Sequence, residues 1–219
     1  MQSILSFSID VLRFFHIAAG SIALLSGIIA LGVFQKVNYH RRFGKVFFNA
    51  MVIVFITAVV LATYRGFEFL LCIAFLSFFN AYRGVRAMQI LKGGRVLWFD
   101  QVAAAAVLLT GAYMLYLSAL AAHGEKWSAV IVFAVFGTLS IYLAISSMHE
   151  FKGVSSKDPY WFRVHRASMG GALIATITAF SVTALSFLPD LIAWLGPSIV
   201  FSPILALIIR KSEARRAGG

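Results

Sequence analysis

Seven long apolar stretches, separated by short polar segments, dominate the pattern of hydrophobic and polar positions along this chain. A helix needs about 20 apolar residues to cross the hydrocarbon core of a bilayer, where every backbone group must be hydrogen-bonded within the protein. Because the stretches are continuous and do not alternate with polar positions, they predict helices and not barrel strands. The predicted transmembrane helices cover residues 11–34, 46–64, 67–89, 97–120, 127–148, 166–188 and 190–209.

The least distinct boundary in this pattern lies between the last two stretches. Leu188-Pro189-Asp190 is the only break in a long apolar run, and proline disfavours helix in the residue before it. We therefore predict a tight turn at this point, without which the helix count would be six. Since every connection is short, residues 1–219 are predicted to form a single transmembrane domain.

The composition also indicates a membrane protein. Hydrophobic residues make up 61% of the chain and charged residues 12%, whereas a soluble domain is about half apolar and about a quarter charged. The net charge of +11 therefore predicts cytoplasmic loops and anionic lipid headgroups as neighbours, and not nucleic acid. Cys72 is the only cysteine, which excludes an intramolecular disulfide and a CxxC motif.

The distribution of basic residues predicts the orientation of the chain. Seven helices place sixteen lysines and arginines on one side and only Arg13, Arg65 and Lys126 on the other. Because cytoplasmic loops are enriched in basic residues, we expect a seven-helix bundle with its N-terminus outside and its C-terminus in the cytoplasm. The sixteen residues are Lys36, Arg41, Arg42, Lys45, Arg83, Arg86, Lys92, Arg95, Lys152, Lys157, Arg163, Arg166, Arg210, Lys211, Arg215 and Arg216.

Ionisable residues are predicted to form two layers with an uncharged midplane between them. Ion-coupled carriers usually keep a carboxylate or an unwound helix near the midplane, so this pattern argues against a transporter. No spanning segment has an interior lysine for a retinal Schiff base, which argues against a rhodopsin. The outer layer holds Asp10, Arg13, His16, Arg65, Glu68, His123, Glu125, Lys126 and Asp190, and the inner layer holds His40, Asp100, His149, Glu150, Asp158 and His165.

Three histidines with a glycine about one helical turn later are the main candidates for a cofactor site. A histidine ring can ligate haem iron, and a missing side chain one turn away lets the flat macrocycle lie against the backbone. The pairs are His16 with Gly20, His40 with Gly44, and His165 with Gly170.

The leading interpretation is a haem b-binding redox protein. In this interpretation His40 and His165, at the cytoplasmic ends of predicted helices 2 and 6, ligate one haem, and His16 with His123 marks a second site on the outer side. Two such layers, about 25 Å apart at the helical rise of 1.5 Å per residue, would suit electron transfer across the bilayer. We then expect a quinone or another redox partner at the cytoplasmic face. The oligomeric state is left open.

Two alternatives use the same residues differently. His40, His149 and His165 could converge as a three-histidine zinc site of a membrane hydrolase, although the HxxxH and HExxH spacings are absent. The other alternative is a non-catalytic carrier or lipid-binding bundle with interfacial histidines. In that bundle Gly20 begins a stripe of small residues that serves helix packing only.

Four segments of the chain carry a resemblance to a known family. They are HIAAGSIALLSGIIAL (16–31), HRRFGKVFF (40–48), HRASMGGALIATITAF (165–180) and WLGPSIVFSPILALIIRK (194–211). These segments resemble bacterial membrane proteins of the DUF2306 type. The resemblance implies a multi-helix protein of the bacterial inner (plasma) membrane whose function is largely uncharacterised. His16, His40 and His165 match its histidine-bearing motifs, whereas His149 and His123 lie outside them.

Overall fold

The computed structural model describes residues 2–155 and 157–217, and all regular secondary structure in these two ranges is helical. Each of the seven helices is long and apolar enough to cross a membrane. The predicted all-helical class and the seven spans are therefore confirmed. The helices are α1 (Gln2–Gly32), α2 (Val37–Arg65), α3 (Glu68–Leu91), α4 (Trp98–His123), α5 (Trp127–Gly153), α6 (Tyr160–Ala184) and α7 (Asp190–Ala217).

Three helices begin earlier in the structure than the hydrophobicity pattern predicted, and the first of them is α1, which begins at Gln2 and not at residue 11. α2 begins at Val37 and not at residue 46, and α6 begins at Tyr160 and not at residue 166. Hydrophobicity marks only the part of a helix that lies in hydrocarbon, and arginine and lysine are good helix formers that continue the helix beyond it. His40 and His165 therefore lie inside the first two turns of their helices and not ahead of them.

The predicted break before the last helix is present. α6 ends at Ala184 and α7 begins at Asp190, and the backbone N–H of Leu188 donates to the carbonyl of Leu185 at 2.9 Å within the turn between them. Pro189 directly precedes α7, and its carbonyl accepts from the N–H groups of Ile192 and Ala193. Proline suits a helix start because it has no N–H to leave unpaired there.

The chain up to Phe78 forms one compact unit and the chain from Phe79 onward forms a second, with the division inside α3. In the first unit α1 packs along α2. The buried side chains of α1 are small and follow a spacing of four and three residues, which is how transmembrane helices approach closely. They are Ala19, Ala23, Ser26 and Ala30.

In the second unit, glycines allow close helix contacts. A Cβ atom on Gly111 of α4 would lie 3.0 Å from the carbonyl oxygen of Gly137 on α5, and a Cβ on Gly137 would lie 3.0 Å from that of Gly111. A Cβ on Gly84 of α3 would lie 2.6 Å from the sulfur of Met169 on α6. Since bilayer lipid is as apolar as a protein core, such close van der Waals packing is a main attraction between these helices.

An aromatic cluster joins one end of the second unit, where α3 and α5 end and α6 begins. Trp161 is fully buried, its ring stacks on that of Phe151 at 5.9 Å, and its Nε1 donates to the carbonyl of Ser155 at 2.9 Å. Ile90 of α3 and Val164 of α6 complete this core. The cluster therefore holds in place the three helix ends that carry the charged residues described below.

The contact between Gly111 and Gly137 makes a direct prediction. Gly137→Ala should lower the stability of the protein by about 1–3 kcal/mol because the new methyl group meets a backbone carbonyl that cannot rotate away. Thermal denaturation of the detergent-purified protein measures the change. Gly32→Ala is the matched control, since a Cβ there meets nothing within 4 Å. Equal melting temperatures for the two variants would contradict the packing described here.

Candidate functional site

The outer-layer histidine of the first unit is anchored between two helices. Nδ1 of half-buried His16 on α1 lies 2.8 Å from Oγ1 of Thr57 on α2. The Thr57 hydroxyl donates its own hydrogen to the carbonyl of Ile53 at 2.7 Å, so it accepts from Nδ1 of the histidine. In the neutral ring the lone pair then lies on Nε2.

The two inner-layer histidines share one hydrogen-bonding arrangement. Nδ1 of His40 lies 2.9 Å from the carbonyl oxygen of Ala30 in the first unit, and Nδ1 of His165 lies 2.8 Å from that of Gly84 in the second. A carbonyl can only accept, so each Nδ1 carries the hydrogen and each neutral ring has its lone pair on Nε2. Metal-ligating histidines are typically oriented in this way, by a bond from their other nitrogen to a carbonyl.

The glycines paired with these histidines differ in their surroundings. A Cβ atom on Gly20 or on Gly44 would meet nothing within 4 Å. A Cβ on Gly170 would instead collide with the side chain of Leu205, because Gly170 is where α6 and α7 approach each other. A side chain could therefore be added at Gly20 or Gly44 without a collision, whereas at Gly170 the space is filled by Leu205 of α7.

The remaining two histidines are exposed at helix ends. His123 is the last residue of α4, and His149 lies in the last two turns of α5. In the described ranges, no group of three or more His, Cys, Asp or Glu side chains is placed to hold a metal ion. The zinc site of His40, His149 and His165 stays a prediction.

A buried ion pair between α3 and α5 was not predicted from the sequence. Nη2 of Arg83 donates to both carboxylate oxygens of Glu150, at 2.7 and 2.5 Å, and Nη1 lies 3.2 Å from the hydroxyl oxygen of Ser168 on α6. The hydroxyl of Tyr160 also donates to Glu150, at 2.8 Å. Arg83 is only 5% exposed and Glu150 only 9%. Glu150 of α5 therefore links α3 and α6 through its hydrogen bonds, and it is not exposed to solvent at the end of α5.

A second buried pair joins α3 to α4. Nε and Nη2 of Arg86 donate to the two carboxylate oxygens of Asp100, both at 2.7 Å, and the hydroxyl of Tyr82 donates to the same carboxylate. Asp100 is fully buried and also accepts from the backbone N–H of Leu97 at 2.8 Å, which caps the start of α4. We refer to Arg83–Glu150 and Arg86–Asp100 together as the α3 arginine pairs.

The burial of both α3 arginines was not predicted from the sequence. Arg83 and Arg86 were predicted among the basic residues on one side of the membrane, and in the structure both lie inside α3 and are buried. The missed signal was their position within the predicted span 67–89, three residues apart on one helix face. Charged residues inside a spanning helix usually face the bundle interior and pair with one another.

The α3 arginine pairs leave one polar atom without a partner. Among the described residues, Nε of Arg83 is buried and makes no hydrogen bond. Two cations face two carboxylates, so the cluster is electrically neutral, and tyrosine hydroxyls provide additional donors. The arrangement suits a rigid link between helices better than a binding site for a charged ligand.

Comparisons of this chain with protein-family models, with curated proteins and with solved structures find no match. The resemblance to DUF2306-type proteins therefore stays a prediction. Functional inference has to rest on the geometry of the side chains themselves.

Breaking the Arg86–Asp100 pair should lower the stability of the protein, and removing both charges together should restore most of it. Asp100→Asn should destabilise the protein by about 3–5 kcal/mol because it leaves a buried guanidinium without its counter-charge. The double variant Asp100→Leu with Arg86→Met should recover most of that loss. Unfolding in detergent, followed by circular dichroism, measures both variants. Exposed Arg95→Met is the control, and a double variant no better than Asp100→Asn would refute the assignment of the loss to an unpaired charge.

Proposed function

We propose that this protein is a membrane-embedded redox protein that binds haem b, for which Nε2 of His40 and Nε2 of His165 are the candidate ligands. The observation that carries the proposal is the hydrogen bond from Nδ1 of each ring to a main-chain carbonyl. Such a bond sets the tautomer in which Nε2 can donate its lone pair to iron, and it fixes the plane of the ring.

The surroundings of the two rings support this proposal. Both histidines are half-buried and lie near the start of a spanning helix. The backbone beside His40 is open at Gly44, where a macrocycle edge can approach. A haem held by histidine would supply one-electron transfer at the helix end that carries its ligand. A haem at a helix end is accessible to a quinone or another redox partner.

The haem proposal predicts the absorption spectrum of the purified protein. After expression with haem supplementation we expect a Soret band and, on reduction, the sharp α-band of low-spin haem b. His40→Ala and His165→Ala should each abolish these bands or convert the iron to a high-spin form, because one ligand is lost. His123→Ala and His149→Ala are the controls, as both residues are exposed. A wild-type protein without a Soret band would falsify the proposal.

A non-catalytic, lipid-binding bundle is the second candidate function. It is favoured by the contact at Gly170, where Leu205 fills the space that a macrocycle would use. In this case the Nδ1 bonds of His40 and His165 serve only to link neighbouring helices. The same spectra separate the two candidates, because the histidine variants would then change stability without any change in absorbance.

We also propose that the chain lies in the bacterial inner membrane with its N-terminus outside and its C-terminus in the cytoplasm. Moving Arg83 and Arg86 into the interior removes two of the sixteen basic residues counted for the cytoplasmic side. The other fourteen basic residues on the predicted cytoplasmic side still outnumber the three on the opposite side, which are Arg13, Arg65 and Lys126. The positive-inside rule therefore supports the same orientation as before.

Cysteine labelling of intact cells tests this orientation. In a Cys72→Ser background, Lys126→Cys lies in the α4–α5 connection and Lys157→Cys in the α5–α6 connection, and both positions are exposed. A membrane-impermeant maleimide should label Lys126→Cys in intact cells and Lys157→Cys only after permeabilisation. The opposite labelling pattern would reverse the proposed topology.

A further inference from the structure

Four exposed basic residues lie where α1 ends and α2 begins, within the first unit. Lys36 directly precedes α2, and the other three belong to its first three turns. Residues three and four apart on a helix are neighbours, so Lys45 lies one turn from both Arg41 and Arg42. We refer to Lys36, Arg41, Arg42 and Lys45 as the α1–α2 basic cluster.

Hydrogen bonds hold the end of the helix pair that carries this cluster. Nδ1 of His40 on α2 donates to the carbonyl of Ala30 on α1 at 2.9 Å. In the connection between the helices, the backbone N–H of Lys36 donates to the carbonyl of Val33 at 2.8 Å. The start of α2 has no side-chain cap and no acidic residue in its first turn. The positive end of the helix dipole therefore adds to the charge of the basic side chains.

The acidic residues of the first unit lie far from the α1–α2 basic cluster. In the sequence up to Phe78 they are Asp10 and Glu68. Asp10 lies in the first third of α1, and Glu68 is the first residue of α3, beyond the other end of α2. At a rise of 1.5 Å per residue, each is separated from the cluster by about 30 Å of helix. The positive charge of the cluster is therefore not compensated within the first unit.

An exposed stripe on α2 continues from the cluster into the spanning part of the helix. Its positions follow Arg42 at a spacing of four and three residues, which places them on one helix face. Asn49 lies about 6 Å along the helix axis from Lys45, and an amide on a spanning helix is costly unless it finds a hydrogen-bonding partner. The stripe consists of Val46, Asn49, Ile53, Ile56 and Val60, all of them exposed.

We propose that the α1–α2 basic cluster and this stripe bind one anionic phospholipid. The phosphate lies against the cluster, because guanidinium groups match phosphate oxygens in pairs and basic segments at the membrane surface attract anionic headgroups. The Asn49 amide donates to an ester carbonyl of the lipid, and the acyl chains lie along the aliphatic side chains beyond it. A lipid therefore matches all three parts of the surface, whereas free phosphate matches only the charged part.

Native mass spectrometry of the full chain in detergent tests this inference with phosphatidylglycerol and phosphatidylethanolamine of identical acyl chains. We expect phosphatidylglycerol to bind more tightly, and Arg41→Gln with Arg42→Gln to weaken its binding by about tenfold or more. Binding of phosphatidylethanolamine, which has no net charge, should change by no more than about twofold. The matched control is Arg13→Gln with Arg65→Gln, which removes two exposed arginines from the opposite end of the same two helices. It should change the binding of phosphatidylglycerol by no more than about twofold.

A second variant tests the part of the site below the headgroup. Asn49→Ala should weaken the binding of both lipids to the same extent, by about threefold, because both carry ester carbonyls. Thr63→Ala is its control, since this exposed side chain lies near the other end of α2. It should leave the binding of both lipids unchanged.

Four outcomes would overturn the proposal. They are equal binding of the two lipids to the unaltered protein, an equal loss of phosphatidylglycerol binding in the arginine control, unchanged binding by Asn49→Ala, and full displacement of the lipid by inorganic phosphate at the same concentration. If the Arg41 and Arg42 double variant does not fold, Arg42→Gln with Lys45→Gln replaces it, because both side chains are exposed. The experiment needs no haem, so its result is independent of the redox proposal.

Discussion

The pairing of two arginines on α3 with carboxylates on α4 and α5 is the interaction on which the second unit depends. Removing a guanidinium or a carboxylate from water costs several kcal/mol, and only a well-placed opposite charge with further hydrogen bonds offsets this cost. Arg86 meets Asp100 through two parallel hydrogen bonds, and Arg83 meets Glu150 with Tyr160 as an additional donor. The directions of these hydrogen bonds, together with the fit of the side chains, therefore restrict how α4 and α5 can be placed against the second half of α3.

Close packing contributes a second constraint that acts over longer stretches of helix. Small residues on α1 and the facing glycines of α4 and α5 let backbones approach to van der Waals distance. Van der Waals contacts have no preferred direction, whereas hydrogen bonds between charged groups have preferred angles. The combination of an aromatic core around Trp161 with the α3 arginine pairs explains why the end of the second unit that carries His165 is well defined.

The sequence predicted the parts of the structure that follow from the hydrocarbon thickness of a bilayer. Seven spans and the break at Pro189 were predicted correctly because a helix that crosses lipid must be long, apolar and uninterrupted. The starts of α2 and α6 were missed because their first turns are polar and basic, and hydrophobicity does not mark such turns although they are helical. The α3 arginine pairs were missed because residues far apart in sequence, such as Arg83 and Glu150, are related only by the folded chain. The sequence likewise named His40 and His165 but not the carbonyls that orient their rings.

The α3 arginine pairs also have a consequence for how the protein enters the membrane. The spanning segment of α3 is the least hydrophobic of the seven, and on its own it would expose two guanidinium groups to lipid. Asp100 is synthesised only fourteen residues after Arg86, so a hairpin of α3 and α4 can bury one charge as it leaves the translocon. Glu150 follows much later, and until α5 is inserted Arg83 lacks its counter-charge. Both buried charges of α3 therefore have their counter-charges only when the chain has been made as far as α5.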